Sequence, residues 1–212
     1  APRGDEVKIA QYCRELIHDG DCIQLGIGGM PDAVAEHLKD RHDLGLYTEM
    51  IGSAMGDLME CGAVNNSKKN FYRNRTIGAF MWGNQHLYDF ADGNPMIEIL
   101  PIRYVNDPFN IAKNNNMVSL NTALEIDLTG QVCSETIAGK QYSGTGGAYD
   151  FAYGAFHSKG GKGIIAVKST AKHGTVSRIV AGLDFGSVVS VQRNVADYIV
   201  TEYGIAHVRN LC

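Results

Sequence analysis

A carboxylate beside an apolar run is the group in this chain with the most chemistry to offer. In "GLYTEM" (45–50) Leu46, Tyr47 and Thr48 read as a short buried strand, and Glu49 ends it, between Thr48 and Met50. An ionised acid there is costly unless it is paired or shifted in pKa. It is therefore either an acid just emerging into solvent or a catalytic one. The other acids have simpler readings. Glu125, Asp127 and Glu135 lie in or beside a hairpin, where alternation points them outward. Asp32 falls in the first turn of a helix and suits its dipole. Glu202 precedes a Tyr-Gly turn, which it caps or pairs with.

Two glycine-rich turns, "LGIGGMPDAV" (25–34) and "SGTGGAYDF" (143–151), present backbone N–H groups at helix starts, where an anion or a developing oxyanion is held. Neither completes G-x-G-x-x-G, because Pro31 and Tyr149 stand at the last position, and each is equally a tight corner. Gly161-Lys162-Gly163 is not a P-loop, and no G-x-S-x-G elbow exists. The seven histidines show no metal spacing, so no metal is expected. Lys168 and Lys172 follow the "GIIAV" strand and either meet a phosphate or are solvated. Asn121, an amide within "SLNTALEI", reads as a buried structural hydrogen bond.

The elements that must position these groups alternate. "DEVKIAQYCRELIH" has helical apolar spacing and Gly20 closes it; "CIQLGI" follows as a strand, and "GGMPDAVAEHL" as a helix with Pro31 in its first turn. Then come strand "LYTEM", helix "SAMGDLMECGA", a polar loop, strand "TIGAFMW", helix "GNQHLYDFAD" and strand "MIEILPI". Thr129-Gly130 joins two β runs into a hairpin, and "GGAYDFAYGAFHSK" is helical. "GIIAVK", "TVSRIVAG", "SVVSVQ" and "YIVTEYG" are expected strands. The order predicts one α/β domain, an open mixed β-sheet flanked by helices.

The 212 residues are 44% hydrophobic, enough for a sizeable core. A net charge of -4 without a basic cluster argues against a nucleic-acid partner, and no run approaches a membrane span. Five cysteines without C-x-x-C spacing point to a reducing cytoplasm. The start lacks a signal-peptide apolar region, and the lack of an initiator Met suggests a piece of something longer.

Taken in order, "IQLGIGGMPDAV", "YTEM", "VSLNTALEIDLTGQVCSE", "SGTGGAYDFAYGAFHSKGGKGIIAV", "STAKHGTVSRIV" and "YIVTEYGIA" closely resemble the C-terminal half of the acetyl-CoA hydrolase/transferase family. The nearest-looking branch is that of 4-hydroxybutyrate and butyryl-CoA:acetate CoA-transferases. The resemblance implies that residues 1–212 form a C-terminal CoA-transferase domain whose N-terminal half is absent, and that the chain alone turns over poorly or not at all. It implies Glu49 as nucleophile, becoming a glutamyl-CoA thioester, with oxyanion donors at the backbone of Ile27, Gly28 and Gly146. Carried over by position, the contacts to coenzyme A are Gln24, Leu25, Gly26, Ile27, Gly28, Asn121, Leu124, Gly146 and Lys172. CoA is then a substrate, with no permanently bound cofactor, and the partners are acyl-CoA, short-chain carboxylates, the missing half and a second copy of the chain. Hydrolysis through the same nucleophile and a non-catalytic CoA-binding module are the rival readings. Relatives commonly run "M-F-S-D-G" after the glutamate, "Q-V" where Ala148-Tyr149 stand, and "L-R-G" where this chain has "HVRN"; these departures leave the acyl preference open.

Overall fold

The computed structural model describes residues 4–209. Six strands form the central sheet: β1 (Cys22–Leu25), β2 (Gly45–Leu46), β3 (Met117–Thr122), β4 (Lys162–Ala166), β5 (Tyr198–Thr201) and β6 (Gly204–His207). Their spatial order is β6-β5-β4-β3-β1-β2. All neighbours are parallel except β5 and β6, so the sheet is mixed and open, as the sequence leads one to expect.

Parallel strands covered on both faces carry nearly continuous apolar runs, and "GIIA" in β4 is one. Alternate residues serve opposite layers. Ile164 and Ala166 join Val118, Leu120 and Val200 under α1 (Gly4–Leu16), α2 (Gly29–Glu36) and α3 (Ser53–Glu60). Ile165, Val167 and Ile199 face the other way, towards Ala152 of a later helix, Ala148–His157. Between α3 and that helix lie α4 (Gln85–Ala91) and two single-turn helices, Ile102–Val105 and Pro108–Ile111, that take no label; the later helix is α5. The Asn84 side chain starts α4 by accepting from the Leu87 N–H at 3.0 Å. No helix among the described residues is long and apolar enough to cross a membrane.

Several expected strands are broken. "LYTEM" divides into β2, an isolated bridge at Tyr47, and Met50–Ile51, with Glu49 at the break and not at a strand end. "TIGAFMW" likewise splits into Thr76–Gly78 and Phe80–Met81 at Ala79, because the N–H groups of Ala79 and Phe80 both turn to the Glu49 carbonyl (2.8 and 3.2 Å). "TVSRIVAG" splits at Arg178, whose N–H goes to Ser169. "SVVSVQ" contributes only a bridge between Val191 and Val132. "YIVTEYG" turns at Glu202-Tyr203 and returns as β6.

Two acids expected to point outward are buried. Asp127 accepts from the Thr129 and Gln131 backbone N–H groups and both side chains; burial raises its pKa, but these bonds outweigh it and hold the carboxyl below its ordinary range. Glu135 is 5% exposed and accepts from Thr145 Oγ1 at 3.3 Å. Glu202 accepts from the N–H and hydroxyl of Ser169, and Lys168 pairs with Glu6 at 2.7 Å.

Candidate active site

A cleft of about 600 Å³ opens beyond the carboxyl ends of β1 and β3, the edge at which open α/β sheets gather ligands. Its floor is an amide network. Gln24 on β1 and Asn121 on β3 exchange two hydrogen bonds of 3.2 Å, and Ser119 Oγ accepts from Asn121 and donates to Gln24 (3.0 and 2.8 Å). This satisfies the polar groups of three buried side chains, so Asn121 is the structural amide that its neighbours suggest. Gly26 sits against it: a Cβ there would lie 3.0 Å from Asn121 Oδ1.

Glu49 enters this cleft half-buried, its carbonyl fixed by Ala79 and Phe80 and its Oε2 accepting from the Gly147 backbone N–H at 2.9 Å. Gly147 is the residue before α5, so the carboxylate faces the helix's positive end. A side chain here would displace the acid: a Cβ at 147 would lie 2.5 Å from both Glu49 Oε2 and Asn106 Nδ2, so one or both must move. Asn106 was not singled out from sequence, yet it borders Glu49, and among the described residues its buried Oδ1 has no hydrogen-bond partner. Asp150, in the first turn of α5, has its pKa raised by burial first and then by Glu49 and Asp107.

Of the residues singled out by sequence, Gln24, Leu25, Gly26, Ile27, Asn121, Leu124 and Gly146 line the cleft with Glu49. Gly28 instead faces a second cleft of about 400 Å³ on the other side of Ile27, bordered by Asp32, Ser53 and Trp82. Lys172 borders neither; it is exposed in a turn where φ is positive at Lys172, His173 and Gly174 (47°, 57° and 88°). Gly147 and Asn106 are the additions. The doubled glycine was a signal for the first, whereas the second sits in "VNDPF", a turn that looks like any other. Among the described residues no cluster of three His, Cys, Asp or Glu side chains could hold a metal.

Solved structures share this open mixed sheet, a CoA-transferase among them. The crystal structure of RipA from Yersinia pestis matches with a TM-score of 0.94 at 43% identity, covering 100% of this chain and 48% of that one. A 4-hydroxybutyrate CoA-transferase structure from Porphyromonas gingivalis matches with a TM-score of 0.87 at 42% identity, covering 99% and 49%. Residues 83–212 fit the acetyl-CoA hydrolase/transferase C-terminal domain. The chain is 50% identical to the 4-hydroxybutyrate coenzyme A transferase of Clostridium kluyveri, over 96% of this chain and 48% of the relative. It is equally 50% identical to the succinyl-CoA:cyclohexane-1-carboxylate CoA transferase of Geobacter metallireducens, over 96% and 47%. The chain belongs to the acetyl-CoA hydrolase/transferase family. It spans about half the length of the curated relatives it matches.

Proposed function

We propose that this chain is the nucleophile-bearing half of a CoA-transferase, moving coenzyme A between an acyl-CoA and a short-chain carboxylate through a thioester on Glu49. The observation that carries this reading is the Glu49 carboxylate, held in the cleft by the N–H of Gly147. Glu49 attacks the acyl thioester carbonyl, giving an acyl-glutamyl anhydride and CoA thiolate. The thiolate then attacks the glutamyl carbonyl, the first carboxylate leaves, and Glu49 holds CoA. A second carboxylate reverses the sequence, so the thioester bond is conserved.

Each addition develops an oxyanion, and a correctly placed donor contributes about 3 kcal/mol to its stabilisation. The Gly147 N–H and the Asn106 amide serve the glutamyl oxygen, while the backbone of Ile27 and Gly146 borders the same cleft. Gly28, on the other side of Ile27, is kept for the turn's shape more than for donation. Gln24, Leu25, Gly26 and Leu124 flank the thioester arm of CoA, Asn121 holds the floor, and exposed Lys172 is assigned the CoA phosphates. The half of the relatives' length outside this chain completes the cleft, which is why the 212 residues alone turn over poorly. CoA is a substrate here, and the reading invokes no resident cofactor. Association into a homo-oligomer is part of the same reading. The free cysteines Cys13, Cys22, Cys61 and Cys133 fit a cytoplasmic setting.

The test is to incubate a protein carrying both halves with butyryl-CoA or acetyl-CoA, reduce with borohydride, and weigh the peptide containing Glu49. An acyl-CoA-dependent change at Glu49 is expected, lost in Glu49→Gln. Acyl exchange with Glu49 unmodified would place the chemistry elsewhere. Release of free CoA that added acetate does not divert would favour hydrolysis.

A further inference from the structure

The outer edge of β2 leads straight to Glu49, and its hydrogen-bond ladder is completed by side chains. Leu44 is served by backbone: its N–H donates to Ala63 and its carbonyl accepts from Asn65 and Asn66. Thr48 is served by backbone too, its N–H donating to Ile77 at 3.0 Å. Between them the Leu46 N–H donates to Asn66 Oδ1 at 2.9 Å, and the Leu46 carbonyl accepts from Lys69 Nζ at 3.0 Å. Two side chains thus fill a one-residue gap between the loop after α3 and the Thr76–Gly78 strand.

Both are committed to that role. Asn66 is fully buried, holds a left-handed φ of 59°, and donates its Nδ2 to Thr76 Oγ1 at 3.0 Å. Lys69 is 5% exposed; its ammonium also donates to the Arg75 carbonyl at 2.7 Å and sits 5.6 Å from the Tyr47 ring centroid. Among the described residues its hydrogen-bond partners are carbonyls and not a carboxylate, and burial pushes its pKa down. An ammonium buried on such terms is expensive, and a neutral side chain of the same shape would avoid the cost. The lysine stem lies flat over Gly45, where a Cβ would meet Lys69 Cγ at 2.5 Å.

We propose that Lys69 is a positioning residue for the nucleophile: with Asn66 it stands in for the strand missing beside Leu46 and so sets how Glu49 enters the cleft. The proposal rests on the reading of Glu49 as nucleophile. Leu46 is three residues before Glu49, and with both its polar groups tied the chain has little freedom until Ala79 and Phe80 grip the Glu49 carbonyl. Without the ammonium the Leu46 and Arg75 carbonyls lose their partner, and the segment shifts at the point where the carboxylate is aimed.

Lys69→Met in the protein carrying both halves tests this, by following borohydride-trapped Glu49 adduct against time and butyryl-CoA concentration. The variant is expected to form adduct at least tenfold more slowly at saturation, with the half-saturating concentration within twofold of the unsubstituted protein, and Lys69→Arg is expected to recover part of the rate. Gly45→Ala, whose methyl displaces the lysine stem and leaves its charge, is expected to slow adduct formation as well, and to have no further effect in a Lys69→Ala background. It decides the matter if the Met variant does not fold. A folded Met variant, or Gly45→Ala protein, that acylates at the native rate overturns the proposal. Absence of adduct in the unsubstituted protein overturns the reading of Glu49 instead, so the two failures are distinct.

Discussion

Two glycine-rich turns border the larger cleft, one after β1 and one before α5, and each has one glycine crowded by a neighbour and one with positive φ. In the first turn Gly26 is crowded by Asn121, part of a satisfied amide network, and Gly28 has a φ of 115°. In the second Gly147 is crowded by Glu49 and Asn106, and Gly146 has a φ of 55°. The first turn is packed on groups whose hydrogen bonds are complete. The second touches a carboxylate and an amide whose Oδ1 is unpaired. Damage to the first is therefore expected in stability, and damage to the second in rate.

The sharpest way to break that contrast is a methyl group in each turn. Gly147→Ala drives a Cβ against Glu49 and is expected to slow turnover of the two-half protein about 100-fold. Gly26→Ala asks Asn121 to give by a few tenths of an ångström and is expected to slow it by less than about tenfold. Equal losses in steady-state assays would erase the distinction. Next, Asn121→Ala leaves Gln24 short of partners in a buried site and is expected to lower unfolding free energy by about 2 kcal/mol in urea. Asn106→Ala, with its Oδ1 already unpaired, is expected to cost under about 1 kcal/mol while slowing adduct formation.

Backbone conformation separates the turns again. Gly28, at φ 115° and ψ 178°, lies where only glycine is comfortable, so Gly28→Ala is expected to cost about 2 kcal/mol. Gly146→Ala, in the left-handed region, is expected to cost about 1 kcal/mol, both read by thermal unfolding. The smallest effect is electrostatic. Asp32 and Asp150 occupy the first turns of the two following helices, and partial desolvation raises the pKa of both, for Asp32 against the helix dipole that its position suits and although its surface is exposed. Each then favours the fold fully below the ordinary carboxylate value of 3.8, and that contribution is lost as pH rises through the raised value. Asp32→Asn and Asp150→Asn are expected to stabilise the protein at neutral pH, by less than about 1 kcal/mol after solvent screening, and not in acid. Only the Asp150 effect should shrink in a Glu49→Gln background, because only Asp150 feels Glu49.

Much of this was legible in the sequence for identifiable reasons. Continuous apolar runs such as "GIIA" and amphipathic α1 declare themselves by period, and the glycine turns declare the carboxyl edge of the sheet. What escaped depends on contacts distant in sequence. Glu49 was visible as an acid out of place, but the chain break around it is imposed by Ala79 and Phe80, thirty or so residues later. "SVVSVQ" has strand composition, yet only Val191 finds a partner strand. The Thr136–Ile137 and Lys140–Gln141 hairpin is too short to show alternation. Lys69 stands in a polar loop, "NNSKKN", beside a lysine of no evident role, and nothing local reveals which of the two is buried.

The Gly147 amide has one more consequence. Its proton is held by a carboxylate ninety-eight positions away in sequence, so its resonance reports the charge on residue 49. Any event that neutralises that oxygen weakens the bond, moves the amide signal upfield and speeds its exchange with deuterium. A protein labelled with ¹⁵N-glycine would therefore carry its own spectroscopic probe of the charge on Glu49, and so of the thioester proposed there.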